Sequence, residues 1–141
     1  HIAHDCSLKD HVVVANSCQF AGHVEVDAHV KIGGGCLISQ FCKLGEHSYI
    51  AGDSTINKDI LPYSIAQGKY AVTRATNKIG MGRAGFSKVE IENVHKAIRY
   101  LIKGDRTVEE SLQKIKETCE PSPGVRVILQ FLEKADRGIA R

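Results

Sequence analysis

The chain has 141 residues, room for one ordinary domain or for a repeat domain with a modest appendage, and its 43% hydrophobic and 25% charged residues are the balance of a soluble globular protein. No apolar run approaches the roughly 20 residues that span a bilayer, and no charged-then-apolar leader precedes the first element, so a cytoplasmic protein without a transmembrane segment is expected. The net charge of +3 is unevenly placed, −3 over residues 1–60 and +6 over 61–141. A basic half suits an anionic partner, either a phosphate-bearing ligand or an acidic protein.

From His1 the chain divides into hexads: HIAHDC, SLKDHV, VVANSC, QFAGHV, EVDAHV, KIGGGC, LISQFC, KLGEHS, YIAGDS, TINKDI. The second position is always bulky and apolar: Ile2, Leu8, Val14, Phe20, Val26, Ile32, Ile38, Leu44, Ile50, Ile56. A short fixed period with one inward residue predicts a left-handed parallel β-helix over 1–60, each hexad giving a strand and three hexads a triangular coil. An amphipathic helix would need a 3.6-residue period, and an antiparallel sheet would need turn signals between strands. His1 falls on the repeat phase, so the register is expected to continue upstream.

Three hexads per coil stack residues 18 apart at the spacing of paired strands, roughly 4.8 Å. One face then carries His4, Gly22 and Gln40 in one column beside Asp5, His23 and Phe41. A second carries His11, His29 and His47 among Lys9, Asp10, Asp27, Lys43 and Glu46, and is expected to be wet. The third carries Asn16, Gly34 and Gly52, narrow in side-chain bulk. Four of the five cysteines (Cys6, Cys18, Cys36, Cys42) take the sixth, inward position. With Cys119 the count is odd and no CxxC pair occurs, so packed, reduced thiols are expected.

The repeat breaks at Leu61-Pro62-Tyr63, and residues 61–85, rich in Gly, Lys and Arg, read as a connector. Residues 86–141 read as a three-helix domain. Ser87 and Glu90 form a capping-box pattern before Ile91, Val94, Ile98, Leu101 and Ile102, which recur at helical spacing until Gly104. Thr107 and Glu110 repeat it for a helix to about Cys119. Pro121 and Pro123 precede a third, marked by Val127, Ile128, Phe131 and Leu132 and ending before Gly138.

A histidine followed by an aspartate is a weak signal by itself. The stack gives His4 a neighbour, Gly22, whose backbone amide no side chain obstructs. A general base beside an oxyanion donor suits acyl transfer.

At these residues the chain resembles the UDP-N-acetylglucosamine O-acyltransferases that begin lipid A synthesis. The resemblance covers essentially all 141 residues and rests on HIAHDC at 1–6, AGHV at 21–24, QF at 40–41, PYSIAQG at 62–68, Asn77, the run Arg83 to Ser87, and RGIAR at 137–141. It implies a homotrimer, with sites between subunits, that moves an (R)-3-hydroxyacyl group from acyl carrier protein to the 3-hydroxyl of the UDP-sugar. It implies no metal or organic cofactor and no nucleic-acid partner. By the same resemblance His4 is the general base, Asp5 sets its environment and the Gly22 amide stabilises the oxyanion. His1, His23 and Gln40 match substrate-contacting positions, Asn77 and Arg83 match positions near the nucleotide diphosphate, and Gly52 matches the position that limits acyl-chain length. Ser39 stands where His usually precedes Gln-Phe, Tyr70 where His or Pro is common, and Ala84 where a second Arg often follows Arg83. These departures bear on nucleotide binding and on which sugar is preferred.

Three rivals are distinguishable. The related N-acyltransferase of the same pathway shares the β-helix and catalytic His but has other flanking motifs. A metal-dependent hydratase of the γ-carbonic anhydrase type would use the His11, His29, His47 ladder. An inactive trimeric fragment would show no acyl transfer and no effect of His4→Ala.

Overall fold

The computed structural model describes residues 1–141. Nine two-residue strands occupy the repeats: β1 (Ser7–Leu8), β2 (Val13–Val14), β3 (Gln19–Phe20), β4 (Glu25–Val26), β5 (Lys31–Ile32), β6 (Leu37–Ile38), β7 (Lys43–Leu44), β8 (Tyr49–Ile50) and β9 (Thr55–Ile56). Each takes the first two positions of its hexad, so its first side chain points out and its second into the coil. All nine pair in parallel with partners 18 residues away, Ser7 on Glu25 on Lys43, Val13 on Lys31 on Tyr49, and Gln19 on Leu37 on Thr55. The three resulting sheets are the sides of a left-handed parallel β-helix.

Phe20, Val26, Ile32, Ile38, Leu44, Ile50 and Ile56 are buried along its axis, joined by sixth-position Cys18, Val24, Val30, Cys36 and Cys42. A fully buried aliphatic side chain of this size contributes about 1.5–3 kcal/mol, so the interior column carries most of the coil's stability. Ile2 and Leu8 are more exposed than the inward residues that follow them. All five thiols are free.

The polar columns lie at the corners of the prism rather than on its faces, because strands take positions one and two while the turn takes four and five. At the fifth position the backbone enters the left-handed region, with φ of 57–66° at Asp5, His11, Ser17, His23, His29, Phe41, His47 and Asp53. That conformation costs roughly 1–2 kcal/mol for an L-residue and is tolerated best by Asn, Asp and His. His11, His23, His29 and His47 therefore have a backbone reason for being histidines. His4, at the fourth position, has none.

Beyond the ninth strand, residues 61–85 hold more order than a connector. Strands β10 (Ser64–Gly68) and β11 (Ala71–Thr76) form an antiparallel hairpin, and β10 also pairs in parallel with β8, continuing the second sheet. Helix α1 (Lys78–Arg83) follows, then α2 (Lys88–Ile102), α3 (Val108–Thr118) and α4 (Pro123–Lys134). Val94, Ala97, Ile98, Leu101, Ile115, Val125 and Ile128 form a second core with Leu61, Tyr63 and Met81. Thr107 and Glu110 make a complete capping box. The Ser87 box is only half made: Ser87 accepts from Glu90 N–H, but the Glu90 carboxylate accepts from the Ser122 hydroxyl at 2.6 Å, tying α2 to the start of α4. No helix is long and apolar enough to cross a membrane.

Buried Asp59 joins the two parts. Its Oδ1 accepts from Lys43 N–H at 2.7 Å, its Oδ2 from Arg137 N–H at 3.1 Å, and its backbone pairs with Gly138 and Ala140. Burial pushes its carboxyl above the usual range. Residues 137–140 are thereby locked against the coil, and Thr73 of β11 donates from both its N–H and its hydroxyl to Ala140 C=O.

Candidate active site

At the first corner the backbone hydrogen bond from His23 N–H to His4 C=O, 3.0 Å, aligns two successive coils. Asp5 Oδ2 lies 3.1 Å from His4 Nδ1 and 3.4 Å from His23 Nε2. A carboxylate accepts here, so the His4 proton sits on Nδ1 and leaves Nε2 with a free lone pair. The His23 ring stands edge-on to His4, centroids 5.1 Å apart, and stacks on Phe41 at 4.7 Å. Beneath the imidazole is Gly22: a Cβ there would come within 2.9 Å of His4 Nε2, so only glycine leaves the ring its place. The Gly22 N–H donates to no acceptor within the chain. The other fourth-position amides are equally unpaired, so what singles out Gly22 is the imidazole above it.

The second corner is a ladder of aromatic rings. His11 stacks on His29 at 4.8 Å and His29 on His47 at 4.6 Å, and Tyr63 and Phe86 close the column. The expected wet surface holds for exposed His11 and His29, whereas His47 is half-buried, and burial together with neighbouring His29 pushes its basicity down. These rings are nearly parallel, so their nitrogens do not converge on a metal.

Beside this ladder opens a cavity of about 690 Å³ lined by Lys31, Tyr49, Thr76, Asn77, Lys78, Arg83 and His95, among others. Asn77 caps α1 through Oδ1 and donates from Nδ2 to His47 C=O at 2.9 Å, so its amide also builds the wall. Arg83, in the last turn of α1, is exposed and makes no ion pair, whereas Lys78 pairs with Glu92 at 3.1 Å. His95 shares a 2.8 Å hydrogen bond with Thr76, and burial pushes its basicity down. The cavity's charge at neutral pH therefore comes from Lys31, Lys78 and Arg83, a set suited to a diphosphate.

A family model described as UDP N-acetylglucosamine O-acyltransferase, domain 2, matches residues 59–140. The chain belongs to this family. Curated relatives named acyl-[acyl-carrier-protein]–UDP-N-acetylglucosamine O-acyltransferase, from Aliivibrio fischeri and Alkalilimnicola ehrlichii, are 36% and 32% identical over 141 residues. Each match covers the whole chain and 54% or 55% of the relative, so the chain spans about half the length of the curated relatives it matches. Among solved structures, LpxA from Acinetobacter baumannii superposes with a TM-score of 0.95 at 39% identity, and the Bacteroides fragilis UDP-N-acetylglucosamine acyltransferase with 0.97 at 34%. Both matches cover 100% of this chain and 55% of the neighbour.

Against the family pattern, His4, Asp5, Gly22 and His23 come together at the first corner, with exposed Gln40 next in the Gly22 column. His1 lies one strand away, its ring without a hydrogen bond. Asn77 and Arg83 sit at the second corner. Gly52 sits at the third, stacked on Gly34 with room for a Cβ only 3.3 Å from the Gly34 carbonyl. One chain thus distributes the family's positions over three corners. Of the departures, Ser39 precedes Gln40 at the first corner, exposed Tyr70 follows β10, and Ala84 lines the cavity, where it leaves Arg83 as the sole arginine. Lys31, Tyr49 and His95 were missed from the sequence. The 18-residue map does contain Lys31 and Tyr49, as first-position neighbours, but no periodicity leads to His95 on α2.

Proposed function

We propose that this protein transfers an (R)-3-hydroxyacyl group from acyl carrier protein to the 3-hydroxyl of UDP-N-acetylglucosamine, with His4 as general base. The observation that carries this reading is the His4 imidazole, oriented by Asp5 and seated over Gly22. His4 Nε2 takes the proton of the sugar hydroxyl as its oxygen attacks the thioester carbonyl. The Gly22 amide holds the tetrahedral oxyanion. Collapse breaks the carbon–sulfur bond, and the carrier thiolate takes the proton back from the imidazolium. Asp5 stabilises that imidazolium, while His1, His23 and Gln40 contact the substrates. No metal or organic cofactor takes part in these steps.

Asn77 and Arg83 bind the nucleotide diphosphate from a second protomer. A side of the prism is one hexad, at most about 20 Å, and His4 and Arg83 stand at different corners of it. A homotrimer that brings the first corner of one copy against the second corner of the next supplies both to one substrate. The acyl chain runs toward the third corner, where Gly52 leaves room for a long chain. The basic half of the chain meets acidic acyl carrier protein. Free thiols at all five cysteines suit a reducing compartment, and we assign the protein to the cytoplasm. Mass spectrometry of the product from UDP-N-acetylglucosamine and 3-hydroxyacyl carrier protein tests the reading. Transfer that is lost in His4→Ala supports it, and transfer unaffected by that change refutes it.

A further inference from the structure

We propose that His4, Asp5 and His23 form a site for one divalent transition-metal ion of the zinc class, and that filling it stops acyl transfer. Asp5 Oδ2 stands 3.1 Å from His4 Nδ1 and 3.4 Å from His23 Nε2. Zinc bonds to histidine and carboxylate are about 2.0–2.2 Å, which sets neighbouring corners of a ligand tetrahedron about 3.3–3.6 Å apart. Two of the three edges are already at or just below that length. The third, from His4 to His23, lies within 4.8 Å, so closing it needs no more than about 1.5 Å of ring movement. Both rings have the exposure to make it, their side chains being 74% and 42% accessible.

No other three histidine, cysteine or carboxylate ligand atoms in the chain lie so close together. The backbone is preorganised for the task, since the bond from His23 N–H to His4 C=O fixes the coil register and Asp5 and His23 are both held at φ 59°. Two imidazoles and one carboxylate suit zinc, cobalt, nickel or copper better than magnesium or calcium. Three protein ligands leave the fourth position open to water or a small anion, as in zinc sites that exchange ligands.

A metal on His4 Nδ1 takes the lone pair exposed when the proton there leaves. The single proton of the neutral imidazole then resides on Nε2, and no lone pair remains to accept a proton from the sugar hydroxyl. Inhibition rests on the acyl-transfer reading, whereas metal binding stands apart from it.

Titration of the metal-free protein with Co²⁺, followed by its visible absorption, and with Zn²⁺, followed by calorimetry, tests the site. One ion per chain is expected. Asp5→Asn and His23→Asn, chosen because asparagine accepts the left-handed backbone, are expected to weaken binding by at least about tenfold with unchanged melting. His11→Asn, on the stacked ladder, is expected to bind as the unaltered protein does. Zn²⁺ is expected to inhibit transfer over the range in which it binds, and a chelator to restore it. Absence of binding, or binding unaltered in Asp5→Asn and His23→Asn, overturns the site, and full transfer with the ion bound overturns the inhibition. Metal-free protein that binds one ion through these residues yet transfers no acyl group upholds the site and contradicts the transferase reading.

Discussion

Gly22→Ala adds one methyl group directly under the proposed base. Its Cβ would stand 2.7 Å from His4 Cε1, 2.9 Å from Nε2 and 3.2 Å from Nδ1, where contacting carbons prefer about 3.5–4.0 Å. Relief requires the imidazole to move by about 1 Å. Alanine brings no strain of its own, because Gly22 is not in the left-handed region. The His4 side chain is 74% exposed within its own chain, so its displacement disturbs no core residue of that chain. Stability should therefore change by less than about 1 kcal/mol. A base displaced by this distance costs about 10²-fold in rate. We expect Gly22→Ala to melt within a few degrees of the unaltered protein, with kcat down about 100-fold and KM for the UDP-sugar little changed. Initial rates of transfer from the acyl carrier thioester, measured beside a thermal melt, decide this. A folded variant with kcat within about threefold of the original would refute the placement of His4.

His4→Ala should lower kcat by about 10²–10⁴-fold, the span general-base catalysis supplies, at unchanged melting temperature. Asp59→Asn keeps one acceptor for the two N–H groups of Lys43 and Arg137, so urea denaturation should show a loss of about 1–3 kcal/mol without loss of the β-helix's circular dichroism. Burial lowers the basicity of His47, so the unfolded chain binds its proton more readily than the folded one. The corresponding stability is present above the ordinary histidine value of 6.5 and is lost as pH falls through the lowered one. His47→Asn, compatible with its left-handed backbone, should flatten that part of the stability–pH profile; an unchanged slope would contradict it. Gly52→Met should shift the product toward shorter acyl chains, read by mass spectrometry of the acylated sugar.

The coil was legible because every hexad repeats one demand, an apolar second residue whose neighbours 18 positions away cover it. That interval also carried His4 over Gly22 and His11 over His29 and His47. Spacing alone could not say that these columns turn corners, since the left-handed fifth position leaves its trace only as a preference for Asp, Asn and His. Residues 61–85 escaped the period: Ser64–Gly68 and Ala71–Thr76 alternate inward and outward side chains, but their Gly, Lys and Arg content reads as loop. The lock at Asp59 pairs residues far apart in the chain and has no local signature. The half-made cap at Ser87 shows the limit of local patterns, because Glu90 finds a better partner in Ser122 once α4 docks. The division of the family's positions among three corners emerges only when the coil is closed into a prism.

Mixed oligomers test the shared site most directly. His4→Ala and Arg83→Ala, each prepared alone, should be nearly inactive, since one lacks the base and the other a diphosphate ligand. After dissociation and reassembly of equal amounts, a site between protomers takes His4 from one chain and Arg83 from the next. Random assembly then restores about one quarter of the original activity. Activity no higher than the average of the two separate variants would contradict a site built from two corners of neighbouring copies.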